Sequence, residues 1–257
     1  MINKVIKDKK NPKIESKDSK KIDYKSGRVI IFSGAGISAE SGLSTFRDSG
    51  GLWENYDPMV VCNYENWNAN YELVHKFYNL RRKELANVKP NIAHEFVAKM
   101  CDEFDAINIT QNVDDLFERA GCENALHLHG FLPQLRCEAC GEIESIGYKA
   151  YDFHACKSCG NARLKPNIVF FFEPAPLYTL LYGIFSSIAD NDIIIVIGTS
   201  GNVININSLL GKGYKILNNL DSEITINECL FDSLYLESST KALPKIYEEV
   251  KKLREIR

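Results

Sequence analysis

Cys137-x-x-Cys140 and Cys156-x-x-Cys159 are two close thiol pairs with fifteen residues between them. Two such knuckles at this separation match a four-thiolate zinc site, and four protein ligands close the tetrahedral shell, so the metal expected here is structural. His154 lies beside the second knuckle as a rival ligand, while Cys62, Cys101, Cys122 and Cys229 are scattered and read as packed or inert. A second kind of chemistry is carried by Gly34-x-Gly36-x-x-Ala39. It follows an apolar run and fits the dinucleotide fingerprint in its alanine form: one glycine for the turn, one for close approach to a pyrophosphate, a small residue for helix packing. A tight turn with no ligand is the plainer reading. The acid that a dehydrogenase places about 20 residues further on is missing, since Gly42 to Asp48 reads as loop. His127 and His129 alternate along Leu126 to Gly130, which puts one ring toward a cleft and the other away. Gly130 follows His129 at once, and Gln111-Asn112-Val113-Asp114 ends the preceding long strand. That setting points to His129 as a general base.

These groups need a frame. Arg28 to Ser33, Ala106 to Thr110, Leu126 to Leu128, Ile168 to Phe171, Asp192 to Gly198 and Tyr214 to Asn218 read as strands. Helical periodicity marks 70–86, Asn91 to Cys101, Asp114 to Ala120, Leu177 to Ala189 and a last helix from about Pro244. Alternating strands and helices predict an α/β, Rossmann-like, doubly wound parallel sheet. Such sheets bind ligands at the carboxyl ends of their strands. Gly34, Thr110 to Asn112 and Gly198 to Ser200 each fall just after a strand.

Composition removes several classes. No run of eighteen apolar residues and no apolar leader is present, so neither a membrane span nor a membrane partner is expected. Eight cysteines in close and scattered positions then point to a reducing, cytoplasmic setting. Residues 1–25 hold nine lysines against four acids in a chain of net charge −3. Residues 1–27 therefore read as a disordered, lysine-rich tail. Nucleic acid is not expected as a partner, because the remainder is acidic and the tail has no interleaved aromatics.

The strings Gly34 to Trp53 (GAGISAESGLSTFRDSGGLW), Thr110 to Gly121 (TQNVDDLFERAG), Leu128 to Gly130, Gly198 to Val203 (GTSGNV) and the cysteine quartet together resemble the sirtuins, the NAD-dependent protein deacylases. The resemblance implies an NAD-binding domain over 28–135 and 164–257, with a loop and helical insert at about 43–90 and a zinc-binding insert at 136–163. It implies that Gly34, Ala35, Gly36, Ser38, Phe46, Arg47, Gly198, Thr199 and Ser200 contact NAD. Gln111, Asn112 and Asp114 would line the nicotinamide and ribose side, and Asn219 the adenosine side. His129 would be the catalytic base, with Asn112 taking part in the chemistry. In the implied reaction the acyl oxygen of a modified lysine attacks the ribose carbon and releases nicotinamide. A ribose hydroxyl, deprotonated by His129, then takes the acyl group, giving free lysine and O-acyl-ADP-ribose. The partners implied are acylated lysines of proteins.

Tyr78 and Arg81 stand at i and i+3 of the 70–86 helix. A guanidinium beside a phenol suits a carboxylate, and the pair resembles that of the class III branch, which removes succinyl and malonyl groups. Lys165 to Glu173 resembles the family's substrate-binding strand, with Val169, Phe170 and Phe171 on the peptide. There the chain departs from the pattern, because Phe172 stands where the family has glycine. After Gly198 to Val203 the usual proline-containing segment is also replaced, by Ile204-Asn205-Ile206-Asn207. These departures leave open a weakly catalytic NAD and acyl-peptide sensor; ADP-ribose transfer to protein is a further alternative.

Overall fold

The computed structural model describes residues 22–43 and 56–255. Phe46, Arg47 and residues 1–21 of the lysine-rich tail lie outside the described residues. The end of the expected 1–27 tail is structured: Tyr24–Ser26 forms a single turn capped by Asp23, and Tyr24 meets Tyr214 edge-on at 5.8 Å.

Among the described residues there are nine strands: β1 (Val29–Ser33), β2 (Ile107–Thr110), β3 (Leu126–His127), β4 (Gly130–Cys137), β5 (Ile143–Ser145), β6 (Leu164–Ile168), β7 (Ile193–Ile197), β8 (Tyr214–Asn219) and β9 (Ser233–Leu236). The helices are α1 (Gly36–Ala39), α2 (Pro58–Val61), α3 (Tyr71–Asn87), α4 (Ile92–Phe104), α5 (Leu116–Arg119), α6 (Tyr178–Ser186) and α7 (Ser239–Glu255). The main sheet runs β3-β2-β1-β7-β8-β9, and every pairing in it is parallel. Chain connections leave β1 and β7 in opposite directions, so the switch point falls between them.

Every residue of β1 and of β7 is buried. Val29, Ile31, Ile193, Ile195 and Ile197 pack on one face with α4 and α7; Ile30, Phe32, Ile194 and Val196 pack on the other with Leu181 and Phe185 of α6. A strand covered on both faces reads as an unbroken apolar run, which is why these two stand out in the sequence. Arg28 closes the far end, pairing with the buried Asp192 that precedes β7. No described helix is long and apolar enough to cross a membrane.

The second sheet, β5-β4-β6, is antiparallel and carries the cysteines. It reaches from Gly130 to Ile168, beyond the 136–163 span read from the sequence. β4 was hidden by Pro133, a residue that interrupts a strand ladder; the register shifts between Gly130 and Leu135 and so accommodates it. The strand expected over Ile168 to Phe171 is corrected to Leu164–Ile168. Beyond it the chain changes partners: Val169 N–H donates to the His129 carbonyl at 2.8 Å and Phe171 N–H to the Cys62 carbonyl at 2.8 Å. Only an isolated bridge between Asn63 and Phe171 remains. The last helix starts at Ser239, not Pro244, and Pro244 lies inside it.

Candidate active site

Three strand exits meet at the switch point. Gly34 N–H donates to the Ile197 carbonyl at 2.9 Å, Gly36 N–H to Gly198 at 2.9 Å, and Gln111 N–H to Ser33 at 2.9 Å. Gly34, Gly36 and Gly198 are packed main chain against main chain. A Cβ on Gly36 would sit 2.7 Å from Gly198 Cα, and one on Gly198 would sit 2.5 Å from Ile37 N. The glycine spacing thus serves first to interlock two turns, whatever the turns then bind.

Polar side chains at these exits are buried and joined. Ser38 Oγ takes a hydrogen bond from Asn112 Nδ2 at 3.0 Å, donates to Asp114 Oδ2 at 3.1 Å and lies 3.3 Å from His94 Nε2. Gln111 Nε2 donates to Thr199 Oγ1 at 3.0 Å. Asn219 clasps the Thr199 backbone, accepting from its N–H at 3.1 Å and donating to its carbonyl at 2.9 Å. Ser200, half-buried, accepts at its carbonyl from the Thr225 hydroxyl. Ser38, Asn112, Asp114, Thr199 and Asn219, expected to meet a cofactor, are buried in this structure, Ser38 bonded to Asn112 and Asp114, and Thr199 to Asn219. Gly34 is buried as well, while Ala35, Gly36, Gln111, Gly198 and Ser200 keep part of their surface open.

His94 belongs to this cluster and was not singled out by sequence. Its signal is the capping box it forms with Asn91 at the start of α4. Burial pulls its pKa down to about 4, so it is neutral at pH 7. Burial raises the carboxyl of Asp114.

The two alternating histidines are separated electrostatically. His127 places Nδ1 2.7 Å from the Asn112 carbonyl and Nε2 2.8 Å from Glu118 Oε1. Burial opposes charge on this ring, but the Glu118 carboxylate outweighs it and the pKa rises. His129 places Nδ1 3.1 Å from the Gln111 carbonyl and Nε2 2.8 Å from the Tyr178 hydroxyl. Burial lowers its pKa, against the hydrogen bond to the Gln111 carbonyl. Of the two, only His129 suits a base at neutral pH. Gly130 after it is required by contact: a Cβ there would lie 2.0 Å from the Asn167 carbonyl oxygen.

Next to His129 runs the segment Val169–Glu173. Phe170 is buried, with its ring stacked on that of Tyr78 at 5.7 Å and 12° and the Lys165 ammonium 3.6 Å from its centroid. Phe171 and Phe172 are exposed. Glu173 anchors the turn: its carboxylate accepts from Phe170 N–H at 2.9 Å, pairs with the fully buried Lys165 at 2.8 Å and meets Arg136. Burial pulls Lys165 down to about 8; Glu173, despite its own burial, is held below the usual carboxylate value by that same ammonium. On α3, the buried Tyr78 directs its hydroxyl at Cys62 Sγ, 3.4 Å away, while Arg81 Nη1 pairs with Glu84 at 3.0 Å.

The thiol quartet converges. All four Sγ atoms lie within 4.8 Å of one another, with Cys137–Cys159 at 3.6 Å and Cys140–Cys156 at 3.8 Å. Tetrahedral Zn–S bonds of about 2.3 Å require sulfurs about 3.8 Å apart, so the cluster fits a structural zinc. The two knuckles repeat one design, with Gly141 N–H returning to the Cys137 carbonyl and Gly160 N–H to that of Cys156, each at 2.8 Å.

Residues 34–205 match the model of the Sir2 family. A protein of Helicobacter hepaticus named NAD-dependent protein deacylase is 49% identical, over 87% of this chain and 97% of that one. This chain belongs to the Sir2 family. Among solved structures, a mutant Sir2 homologue in complex with ADP-ribose superposes with a TM-score of 0.79 at 32% identity, covering 92% of this chain and 96% of that one. A Sir2 homologue in complex with NAD gives 0.76 at 32%, covering 91% and 93%. Phe172 stands out in its own right, with φ +64° and 66% of its surface exposed. Glycine is the usual occupant of such a conformation. Here an aromatic side chain takes it, held by the Glu173 anchor.

Proposed function

We propose that this Sir2-family chain is an NAD-dependent protein lysine deacylase that removes acetyl groups and, through Tyr78 and Arg81, succinyl and malonyl groups. The observation that carries the reading is His129. It is neutral by burial, its Nδ1 proton is engaged by the Gln111 carbonyl, and Nε2 is left as its basic lone pair. NAD, consumed as co-substrate, supplies a ribose carbon with nicotinamide as its leaving group. The open parts of the Gly34–Ser38 turn, Gln111, Gly198 and Ser200 are assigned to hold it. The buried Asn112, Asp114, Thr199 and Asn219 set the shape of that edge from beneath. Phe46 and Arg47 are assigned to the cofactor by family resemblance alone.

The acylated lysine is assigned to the Val169–Phe171 segment. His129 takes the proton of a ribose hydroxyl onto Nε2, and the hydroxyl oxygen accepts the acyl group. The former acyl oxygen stays on the ribose carbon that lost nicotinamide, one water adds to the acyl carbon as the lysine amine departs, and free lysine and O-acyl-ADP-ribose leave. For an acidic acyl group, Arg81 must exchange the Glu84 carboxylate for that of the substrate, which is a swap of like for like. A thiolate zinc site needs reduced cysteines, which supports a cytoplasmic setting.

The test is to incubate the pure protein with NAD and acetyl-, succinyl- and malonyl-lysine peptides, following nicotinamide and peptide mass. Acyl loss in step with nicotinamide release is expected. NAD bound with no turnover would make the chain a sensor, and ADP-ribose on protein without acyl loss would make it a transferase.

A further inference from the structure

His129 has a neighbour that no motif supplies. Tyr178 is the first residue of α6, and its hydroxyl lies 2.8 Å from His129 Nε2, with the ring centroids 5.9 Å apart. The Gln111 carbonyl can only accept, so Nδ1 carries the ring's proton and Nε2 bears its lone pair. The phenol is therefore the donor. Burial lowers the His129 pKa and, followed by the influence of Tyr182, raises that of Tyr178, so the proton stays on oxygen. Among the described residues, burial and the Gln111 carbonyl are what shift His129, and the Glu118 carboxylate pairs with His127.

One lone pair accepts one strong donor. The substrate hydroxyl that must give its proton to Nε2 is the same kind of donor as the phenol already there. Tyr178 is only half-buried and is followed by exposed Thr179 and Leu180, so its side chain borders solvent and has somewhere to go.

We propose that Tyr178 is a positioning residue for the deacylation base: its O–H holds the His129 imidazole in the base-competent tautomer in the free enzyme and gives up Nε2 to the ribose hydroxyl when substrate binds. This rests on the reading of His129 as the base.

Tyr178→Phe keeps the ring and removes the donor. Nuclear magnetic resonance titration of the His129 imidazole in the substrate-free protein is the first measurement. Wild type should show hydrogen on Nδ1 and a bare Nε2. The variant should titrate higher by about half a pKa unit, because the neutral ring loses a hydrogen bond. The acid limb of kcat/KM, which reports the free enzyme, should move up with it, while that of kcat stays in place. Identical titration in the two proteins, or hydrogen on Nε2 in wild type, would overturn the proposal; the wild-type tautomer decides even if the variant does not fold. A fall in kcat with a displaced acid limb would mean that the phenol stays on the ring during turnover, which also overturns it. Full deacylation by His129→Ala would instead sink the base reading, with the Tyr178 effect on the titration left standing.

Discussion

A base must be neutral to work, and the proposed base, His129, is neutral above its pKa. Burial moves that pKa below the ordinary imidazole value, so the acid limb of deacylation should lie below pH ~6.5. A pH series of initial rates checks this. His129→Ala should cost about a hundredfold or more, with the circular dichroism melt unchanged. The Arg81–Glu84 pair gives a second test at this scale. Arg81→Met should abolish acidic-acyl activity and spare deacetylation. Glu84→Gln should raise desuccinylation about two- to threefold relative to deacetylation, since a partly exposed pair of this kind is worth at most about 1 kcal/mol; equal effects on both substrates would refute the carboxylate-receptor role. The cysteine cluster was legible because its spacing marks it, and His129, the proposed base, was singled out by its neighbours in the sequence. Tyr178 was not, because only the fold brings it beside His129; Glu84, at i+3 from Arg81 on α3, had a local spacing that the reading of the sequence passed over.

Among the elements, the turn Phe170–Glu173 is closed by Glu173 N–H to the Phe170 carbonyl at 3.1 Å, with Phe172 in its third position. A positive φ at that position calls for glycine, and an L side chain there costs about 1–2 kcal/mol. Phe172→Gly should therefore stabilise the fold by about 1 kcal/mol, after the extra flexibility of glycine in the unfolded chain is counted. A chemical denaturation curve reads this directly, and a variant less stable than wild type would show that the exposed ring contributes more than the backbone strain takes away. The start of α7 shows why boundaries were harder to read than elements. Thr240 donates its N–H at 3.0 Å and its hydroxyl at 2.8 Å to the Glu40 carboxylate, which comes from just after α1. A cap supplied from so far along the chain leaves no local signature, and Pro244, which in sequence reads as a helix start, sits inside the helix it was taken to open. The strand beyond Ile168 was misplaced for a related reason: its apolar residues continue after its pairing partners have changed.

For the molecule as a whole, the parallel sheet was legible because strands buried on both faces are apolar throughout. The second sheet was not, because β4 carries Pro133 and β5 is only three residues long. That sheet carries the zinc-binding cysteines, yet it borders the proposed base: β4 begins at the residue after His129, and Val169, just past β6, hydrogen-bonds the His129 carbonyl. Chelation of zinc should thus lower the melting temperature and deacylation together, and re-addition of metal should restore both. Activity unaffected by complete metal removal, verified by elemental analysis, would disprove the coupling.

The glycine interlock at Gly34, Gly36 and Gly198 has a mechanical consequence. Where two loops meet through side chains, a rotamer change can absorb a push on one of them. Here the backbones touch with nothing between, so there is no slack. A displacement of the first loop therefore has to be met by the second, and a larger residue at any of these glycines would pry apart two strand exits at once.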